Sequence, residues 1–510
     1  MFFVQDRIRT AGNFLYDSVF SKLFMHSAIA PHFYHYTTRL ALCIAPLLAS
    51  CSAIQTAPIV TPDSRLLAAF VVIGKDGVGW ARSITAANLQ APQDVRCPDI
   101  ALDGTTQRMT VRAPAATAAQ RPTASDAASS KPSLFPVLTC EFRLPPDTLR
   151  ASINNAPLPM PKAQPRRIVV IGDTGCRMKK TDNAWQACLD KDAWPFRAVA
   201  DAAAAMAPDL VIHVGDYHYR ENACPPDVAG CQGSPWGYGW DTWQADLFEP
   251  AAKLLAAAPW VVARGNHEEC RRAGQGWFRF LDVFPFDQTR SCNEAKNDLI
   301  GDFTSPYSVP IARDLQLIVF DSAAAGNKPL DVSKRREAHA FSQYRQQFAT
   351  VDTLANKPGV SSIFLNHHFI LGYAPADGPD VHGGNASLLS VMKTLHPQAY
   401  YPSSVRLALH GHVHLFEALN FSSNHPATIV SGIGGDEISA NLPEPFPVHI
   451  PPAEGVTLES ITHSNQFGFV VMDKLENTWE ISAYDVQGTR KTTCVLTGSK
   501  IRCDKTGLLR

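Results

Sequence analysis

Four short polar segments hold the residues of this sequence that are best suited to chemistry. They are Gly172-Asp173, Gly215-Asp216, Gly265-Asn266-His267-Glu268 and Gly411-His412-Val413-His414, and His367 lies between the last two. Carboxylate, amide and imidazole groups are ligands for hard and borderline metal ions in proteins. Two such ions side by side can stabilise both the attacking and the leaving oxygen of a phosphoryl displacement. The set therefore predicts a two-metal phosphoesterase site.

Each of these polar segments follows a short apolar run. The runs cover residues 167–171, 210–214, 260–263, 363–365 and 407–409. Continuous apolar runs of this length are typical of strands that are buried on both faces. Helix-like stretches separate them, and this alternation predicts α/β layers. We expect the polar residues to converge at one edge of the sheet, where α/β proteins place their sites.

Composition and charge narrow the class of protein. The chain has 510 residues, 45% of them hydrophobic, which is enough for two or three domains with full cores. It carries 46 basic and 47 acidic residues. A near-neutral balance argues against coating a polyanion, so nucleic acid is not expected as a general partner.

The N-terminal residues 1–51 resemble an export signal. An arginine precedes the apolar run 40–48, which is too short for an ordinary transmembrane helix. The run ends in Leu48-Ala49-Ser50-Cys51, which resembles a bacterial lipobox. We therefore expect an exported lipoprotein, in the periplasm or at the cell surface, with a membrane anchor on Cys51. The residues before Met25 are unusual for a signal and favour a later start codon.

Cysteine usage indicates the same compartment. Of the twelve cysteines, Cys43 and Cys51 lie in the expected signal, and the ten that remain can form disulfides in an oxidising space. The simplest pairing joins neighbours along the chain. It gives Cys97 with Cys140, Cys176 with Cys188, Cys224 with Cys231, Cys270 with Cys292, and Cys494 with Cys503.

Local composition and hydrophobic pattern along the chain predict its domains. Short β-like runs in residues 66–156 predict a small β domain. Within it, residues 114–133 are rich in Ala, Ser, Thr and Pro, which predicts an unstructured loop. The remaining segments are a proline-rich linker at 157–165, an α/β domain at 166–488, and a C-terminal tail at 489–510 that carries the last disulfide.

The motifs resemble the calcineurin-like metallophosphoesterase superfamily over residues 167–484. Two details are most similar to the purple acid phosphatases: Asp173-Thr174-Gly175 lacks the histidine common in the first motif, and Tyr219 lies three residues after Asp216. Departures from that pattern are the insertion 221–239 and Ala418, where arginine is usual. The resemblance implies an α/β fold, a four-layer α/β/β/α sandwich preceded by a small β domain.

The resemblance also implies which residues bind metals. An iron(III)-like ion would be held by Asp173, Asp216, Tyr219 and His414. A second ion, zinc, manganese or iron(II), would be held by Asp216, Asn266, His367 and His412.

Two histidines are candidates for catalysis. His267 follows Asn266 and could protonate the leaving alkoxide, while a metal-bound hydroxide is the expected nucleophile. His382 resembles the second outer histidine of the purple acid phosphatases. The other nearby histidines are expected only to pack or to hydrogen-bond; they are His213, His218, His368 and His410.

The predicted function is hydrolysis of a small phosphoester, with a phosphomonoester as the favoured substrate. A phosphodiesterase or nucleotide hydrolase on the same site is one alternative. A lipoprotein that binds phosphate or metal without catalysis is the alternative from another class. Three aromatic residues in the loops 221–239 and 372–385 are candidates to stack on an aromatic leaving group: Trp236, Tyr238 and Tyr373.

Overall fold

A computed structural model of the chain describes residues 65–120, 127–376 and 378–509. The expected signal segment, its lipobox and Cys51 lie outside the described residues. Within the described part of the chain, no helix combines the length and the apolar character that a membrane crossing requires.

Strands make up most of the regular structure. The first ten are β1 (Leu66–Ile73), β2 (Gly79–Ala86), β3 (Asp99–Leu102), β4 (Thr105–Arg108), β5 (Thr110–Ala113), β6 (Ala116–Ala118), β7 (Ser133–Phe135), β8 (Val137–Arg143), β9 (Ala151–Ile153) and β10 (Ala156–Pro157). The next ten are β11 (Arg167–Ile171), β12 (Met178–Lys179), β13 (Ala184–Trp185), β14 (Leu210–His213), β15 (Trp260–Val262), β16 (Tyr307–Ala312), β17 (Leu315–Val319), β18 (Ser361–Leu365), β19 (Ala374–Pro375) and β20 (Val381–His382). The last nine are β21 (Val405–His410), β22 (Phe416–Phe421), β23 (Ala427–Ser431), β24 (Leu458–Ser464), β25 (Gly468–Lys474), β26 (Trp479–Asp485), β27 (Arg490–Thr497), β28 (Lys500–Cys503) and β29 (Gly507–Leu508).

The α-helices are α1 (Phe196–Ala205), α2 (Trp240–Trp243), α3 (Ala252–Ala257), α4 (Gly274–Phe280), α5 (Asp298–Gly301), α6 (Arg335–Ala355) and α7 (Ala386–Leu395). A π-helical turn, Gln244–Phe248, follows α2, and a short 3-10 turn, Asn266–Glu268, follows β15.

Two large sheets form the centre of the molecule. The first has eleven strands in the order β28-β27-β26-β25-β11-β14-β15-β1-β2-β8-β5, and the second has eight in the order β16-β17-β18-β21-β23-β22-β24-β29. The central strands β11, β14 and β15 are parallel, as are β17, β18 and β21. Parallel neighbours end at the same edge, so the polar segments that follow them are brought together.

Alternating residues of the second sheet lie in two different cores. Leu317, Ile363 and Leu407 belong to the core that also contains the first sheet. Ile318 and Phe364, one residue along, pack with helices α6 and α7 in the other core. Because successive strand residues point to opposite faces, one sheet face meets the first sheet and the other meets helices. Helices α1 and α3 pack on strands β25 and β1 of the first sheet, so the expected α/β/β/α layering is confirmed.

Four of the strands in residues 66–156 extend the first sheet, while β3, β4, β9 and β10 form a separate four-stranded sheet. Strand β1 pairs in parallel with β15, where Val72 lies opposite Trp260, and β2, β8 and β5 continue the sheet outward. Phe70, Val71 and Val72 are all fully buried, so both faces of β1 are covered by apolar partners. A small separate β domain would cover only one face of this strand. The described residues from 65 onward accordingly belong to one compact unit.

The predicted C-terminal tail is also part of the sheets. Strands β27 and β28 form the other edge of the first sheet, and β29 pairs with β24 of the second. Cys494 and Leu496 alternate with exposed residues in β27 and are buried. This period-two pattern is that of a half-buried strand, which is why the segment 489–510 is not a free tail.

The predicted unstructured loop 114–133 is structured where it is described. Strand β6 pairs antiparallel with β7, and Ala118 and Phe135 are buried. Residues 121–126 at the tip lie outside the described part of the chain. The base is held because its few apolar residues reach the main core.

Two buried arginines join the N-terminal strands to the segment after α4. Arg112 on β5 donates hydrogen bonds to the carboxylate of Glu141 (2.8 Å) and to four main-chain carbonyls, those of Phe278, Arg279, Asp282 and Phe284 (2.7 to 3.1 Å). Arg82 on β2 donates to the carbonyls of Phe280 and Asp282. These bonds satisfy loop carbonyls that would otherwise be buried without a partner.

All five predicted disulfides are present. They link Cys97 to Cys140, Cys176 to Cys188, Cys224 to Cys231, Cys270 to Cys292, and Cys494 to Cys503. Structural disulfides are typical of proteins that fold in oxidising compartments, so the chain is suited to an extracellular or periplasmic location.

Arg112→Met tests the importance of the buried arginine. It leaves the buried carbonyls of Phe278, Arg279 and Phe284 without this donor and removes the shorter of the two ion pairs of Glu141, so we expect a loss of about 3 kcal/mol or more in the free energy of unfolding. The matched control is Arg108→Met on β4, whose ion pair with Asp99 is exposed, and it should cost about 0.5 kcal/mol. Urea unfolding under non-reducing conditions measures both. Equal losses in the two variants would contradict this role.

Candidate metal centre

The predicted ligands follow the ends of five parallel strands. Asp173 follows β11, Asp216 follows β14, and Asn266 follows β15 in the first sheet. His367 follows β18, and His412 and His414 follow β21 in the second sheet. Because β11, β14 and β15 run in one direction, as do β18 and β21, each sheet presents its ligands at a single edge.

The main chain of the site is conformationally strained. Asp173, Asp216 and His412 have φ angles of 54°, 57° and 75°, in the left-handed region that non-glycine residues rarely occupy. Each such residue costs on the order of 1 kcal/mol, and such strain collects at functional sites. Gly265 allows the chains to approach, since a Cβ atom there would lie 2.1 Å from Oδ1 of Asp216.

The first predicted set of ligands converges on the hydroxyl of Tyr219. Its oxygen lies 3.1 Å from Oδ1 of Asp173, 2.8 Å from Oδ2 of Asp216 and 3.2 Å from Nε2 of His414. A phenol has a single proton to donate, yet three potential acceptors surround it. The structure thus brings together all four residues of this set.

The second predicted set also converges. Oδ1 of Asn266 lies 3.0 Å from Nε2 of His367 and 2.9 Å from Nδ1 of His412, and the two imidazole nitrogens are 3.3 Å apart. Nε2 of His367 lies 3.1 Å from Oδ2 of Asp216. Asp216 therefore contacts both sets with the same carboxylate oxygen.

Hydrogen bonds on the far side of two imidazoles fix which nitrogen faces the site. Nδ1 of His367 lies 3.0 Å from the carbonyl of Val214, and Nδ1 of His414 lies 2.5 Å from the carbonyl of Glu437. A carbonyl can only accept, so Nδ1 carries a proton in both rings, and Nε2 is the nitrogen that faces the centre. Histidine ligands of metals are typically oriented in this way.

The centre is buried, and its two carboxyl groups differ: burial raises the pKa of Asp173 well above its ordinary value, whereas for Asp216 burial is outweighed by the charge of His367 and the pKa is lowered. Asp173 is 0% exposed and Asp216 is 1% exposed. Burial alone would lower the pKa of His367, but the carboxylates of Asp216 and Asp173 raise it to about 9. Burial lowers the pKa of His412 to about 3, so its imidazole is neutral and free to ligate.

The residues fit a pair of metal ions. Asp216, His367 and His412 place one ligand atom each within 4.8 Å of one another, which is the arrangement of donors around a cation. When Nε2 of His367 carries no proton, its lone pair and those of Asn266 Oδ1 face each other at 3.0 Å, and a cation between them removes the repulsion. The first set is rich in oxygen and the second mixes nitrogen and oxygen, so both suit hard or borderline ions.

His267 lies beside the centre in a charged, buried environment. It is 4% exposed, and its ring lies 3.7 Å from that of Tyr219. Nδ1 of His267 lies 3.1 Å from Oε1 of Glu221, and Arg272 pairs with the same carboxylate. Burial and the Arg272 charge lower the pKa of His267 well below its ordinary value.

His382 occupies a different position. It lies on β20, is exposed, and lines a cleft of about 690 Å³ whose inner end includes His412. No described residue hydrogen-bonds to its side chain. The structure therefore brings His267 against the predicted ligands, whereas His382 faces the cleft outside them.

Sequence reasoning did not identify the acidic residues that hold the site in place. The Glu268 carboxylate accepts hydrogen bonds from four main-chain N–H groups, those of Asp216, Tyr217, His218 and Gly265. It therefore ties the loop after β14 to the loop after β15. In the sequence, this role of Glu268 is indicated by nothing more than its position at the end of the polar segment that begins with Gly265.

Asp436 is the other residue that was missed. Its Oδ2 lies 2.5 Å from Nη2 of Arg177 and 3.3 Å from Nε2 of His414. Asp436 lies five residues after the end of β23, outside every polar segment named from the sequence, so no motif marks it. Asp436 adds a third buried carboxylate near the first ligand set.

The remaining histidines pack or hydrogen-bond, as expected. His213 contacts the hydroxyl of Thr174 at 3.1 Å, and His218 contacts the hydroxyl of Thr242 at 2.9 Å. His368 lies near the hydroxyl of Ser322, and His410 near the carbonyl of Asn366.

The three aromatic residues proposed for stacking face elsewhere. The hydroxyl of Tyr373 donates to the carbonyl of Ile450 and that of Tyr238 to Glu221, and both rings are buried. Trp236 packs under Lys131. Large aromatic rings in these loops pack inside the protein, because burying their apolar surface stabilises the fold more than leaving it exposed to solvent.

Comparisons with known proteins agree with this site. Residues 166–416 match the family model described as calcineurin-like phosphoesterase. No curated protein matches the chain. Among solved structures, PhoD is 12% identical, covers 86% of this chain and 92% of its own, and has a TM-score of 0.52. The purple acid phosphatase PPD1 from yellow lupin (Lupinus luteus) seeds is 16% identical over 85% of this chain and 74% of its own, with a TM-score of 0.49.

The matched residues include the segments after β11, β14, β15, β18 and β21, which supply the ligands described above. The likeness to PhoD supports the same fold. Residues 166–416 of this chain therefore belong to the calcineurin-like phosphoesterase family, and the protein is a metal-dependent phosphoester hydrolase.

Proposed function

We propose that the protein is a phosphomonoesterase with two metal ions that share Asp216. The observation that carries the proposal is that Oδ2 of Asp216 lies 2.8 Å from the Tyr219 hydroxyl and 3.1 Å from Nε2 of His367. One carboxylate can bridge two cations through its oxygens. Two neighbouring cations are what an in-line phosphoryl displacement uses.

Each ion would have its own set of ligands. The first would be held by Asp173, Asp216, Tyr219 and His414, and the second by Asp216, Asn266, His367 and His412. A phenolate is a hard anionic donor, so we propose iron(III) for the first position. The mixed donors of the second suit zinc, manganese or iron(II).

The bound metals would supply Lewis acidity and would lower the pKa of a coordinated water. The chain itself contributes orientation and proton transfer. Glu268 fixes the main chain of Asp216, and the carbonyls of Val214 and Glu437 orient His367 and His414. An imidazole within reach of the ester oxygen would protonate the leaving group.

His267 and His382 are both candidates for that proton donor. His267 lies 3.9 Å from Oδ2 of Asp216 and so adjoins the place where a phosphoryl group would lie. His382 faces the cleft, where a leaving group would extend. Contact with the metal-ligating residues favours His267, and Glu221 is its orienting partner. Burial and Arg272 lower the pKa of His267, so its protonated, proton-donating form is favoured in acidic solution.

We prefer a monoester as substrate because the position of Tyr219, three residues after Asp216, resembles the motif of purple acid phosphatases. A phosphodiesterase or nucleotide hydrolase would use the same ligands. A binding lipoprotein without catalysis would not need His267 and Glu221 to be held beside the ligands.

We also propose that the protein is exported and anchored through an acylated Cys51. The disulfides support an oxidising compartment, and the Leu48-Ala49-Ser50-Cys51 segment supports the anchor. Detergent partitioning that persists in Cys51→Ser would contradict the anchor.

Hydrolysis of a matched pair of aryl esters tests the function. With iron and zinc or manganese supplied, we expect the protein to release 4-nitrophenol from the phosphate monoester at least about tenfold faster than from the bis-ester, and chelation should abolish both rates. A faster diester rate would favour the phosphodiesterase. No hydrolysis in the metal-loaded protein would favour the binding lipoprotein.

Metal content tests the sharing of Asp216. We expect two metals per chain in the natural protein, loss of both in Asp216→Ala, and loss of one in Asn266→Ala. Tyr219→Phe should weaken retention of the first ion and remove a visible phenolate-to-iron absorption band. Mass spectrometry and absorption spectra measure these changes. Two metals retained in Asp216→Ala would refute a shared ligand.

Leaving-group dependence distinguishes the two histidines. If His267 is the acid, His267→Ala should lower kcat by roughly a hundredfold on an alkyl phosphate and much less on 4-nitrophenyl phosphate, which needs little protonation. Metal content should not change. His382→Ala is the matched comparison, and a larger selective loss there would transfer the role to His382.

A further inference from the structure

We infer that the cleft beside His412 receives the leaving group of the substrate, and that this group is uncharged and has an apolar face. The inference rests on the proposed function. It adds the direction in which the substrate lies and the chemical class of its organic part.

The cleft opens directly from the candidate metal centre. Its inner end is lined by His412 and Val413, and Nδ1 of His412 is 2.9 Å from Oδ1 of Asn266. Its volume of about 690 Å³ lies within the range of small-molecule sites. A phosphoester held at the metals could extend its organic part into this space without moving the protein.

The part of the cleft lining that the structure describes is half apolar, and histidines are its only titratable side chains. The apolar residues are Phe369, Ala374, Pro375, Ala386, Val413 and Ala440. The polar side chains are those of Asn327, His382, Asn385, His412 and Ser439. Among the described residues, no lysine, arginine, aspartate or glutamate lines it.

This lining favours one class of leaving group. A second phosphate would be desolvated in the cleft with no lysine or arginine beside it among the described residues, which is costly, whereas an aromatic alcohol or a nucleoside would bury apolar surface. Phe369 offers an aromatic wall, and its ring centroid lies 6.1 Å from that of His412. Ring stacking adds about 0.5 to 1.5 kcal/mol to burial.

The walls are held in place before any ligand binds. The side chain of Asn385 donates to the carbonyl of Gly326 (3.0 Å) and accepts from the N–H of Leu388 (2.9 Å) at the start of α7. The N–H of Asn385 donates to the carbonyl of Phe369 (3.0 Å). Ser439 on the opposite wall accepts from the N–H of His414 (3.2 Å). A preformed cleft loses little entropy on binding.

Two buried ion pairs lie beside other residues of the centre. Arg177 pairs with Asp436 beside His414, and Arg272 pairs with Glu221 beside His267. Displacing either pair would leave a buried charge without a partner. The His412 side is therefore the favourable direction for an uncharged group.

Filling the cleft tests the inference. Ala440 is exposed at the rim, and Ala440→Trp should raise KM for 2-naphthyl phosphate by about tenfold while competitive inhibition by inorganic phosphate stays unchanged, because free phosphate does not reach the cleft. The matched control is Ala257→Trp, at an exposed position on α3 outside the cleft. Phe369→Leu, which keeps an apolar side chain, should raise the same KM about fivefold.

Substrate comparison and direct binding complete the test. In the natural protein, kcat/KM for 2-naphthyl phosphate should exceed that for a sugar bisphosphate by at least about tenfold. Calorimetric binding of the non-hydrolysable naphthyl phosphonate should be weakened in Ala440→Trp and not in Ala257→Trp.

The outcomes separate this inference from the proposed function. If the natural protein hydrolyses phosphoesters but Ala440→Trp behaves as Ala257→Trp does, or if the bisphosphate is preferred, the inference is wrong and the proposed function stands. If the natural protein hydrolyses no phosphoester, the proposed function is wrong, and the inference, which rests on it, falls with it.

Discussion

Two buried carboxylates, those of Asp173 and Asp216, set the conditions that the rest of the site must meet. Both are almost fully buried, and the hydroxyl of Tyr219 lies within 3.1 Å of each. Buried negative charge is costly unless it is paired or ligates a cation. The surrounding imidazoles, amide and phenol all present donor atoms toward that charge, so positive charge at the centre is the condition that makes the arrangement favourable.

The strands explain how these residues come to lie together. Asp173 and Asp216 follow neighbouring parallel strands of one sheet, and His367 and His412 follow neighbouring parallel strands of the other. The two sheets share a core, so their ligand-bearing edges meet. Gly265 has no Cβ atom and therefore lets its loop lie against the carboxylate of Asp216. The left-handed main chain at Asp216 and His412 is a conformation that non-glycine residues in loops rarely adopt.

Local patterns were enough to predict much of this. Apolar runs that end in Asp, Asn or His predicted both the strands and the ligands, and the neighbour rule predicted the disulfides, because each of these signals lies within a short stretch of chain. The contacts of Asp436 with Arg177 and of Arg272 with Glu221 were not predictable, since they join residues that are distant in sequence and belong to no motif. The pairing of β1 with β15, which joins β1, β2, β8 and β5 to the first sheet, was missed for the same reason, because these two strands are distant in sequence.

The central claim is that one carboxylate serves two metal ions. Anomalous X-ray diffraction from crystals of the metal-loaded protein, collected on either side of the iron and zinc absorption edges, tests it most directly. The account predicts two anomalous peaks on opposite sides of the Asp216 carboxylate, the first within bonding distance of Tyr219 and the second within bonding distance of Asn266. A single peak, or two peaks of which only one contacts Asp216, would contradict it.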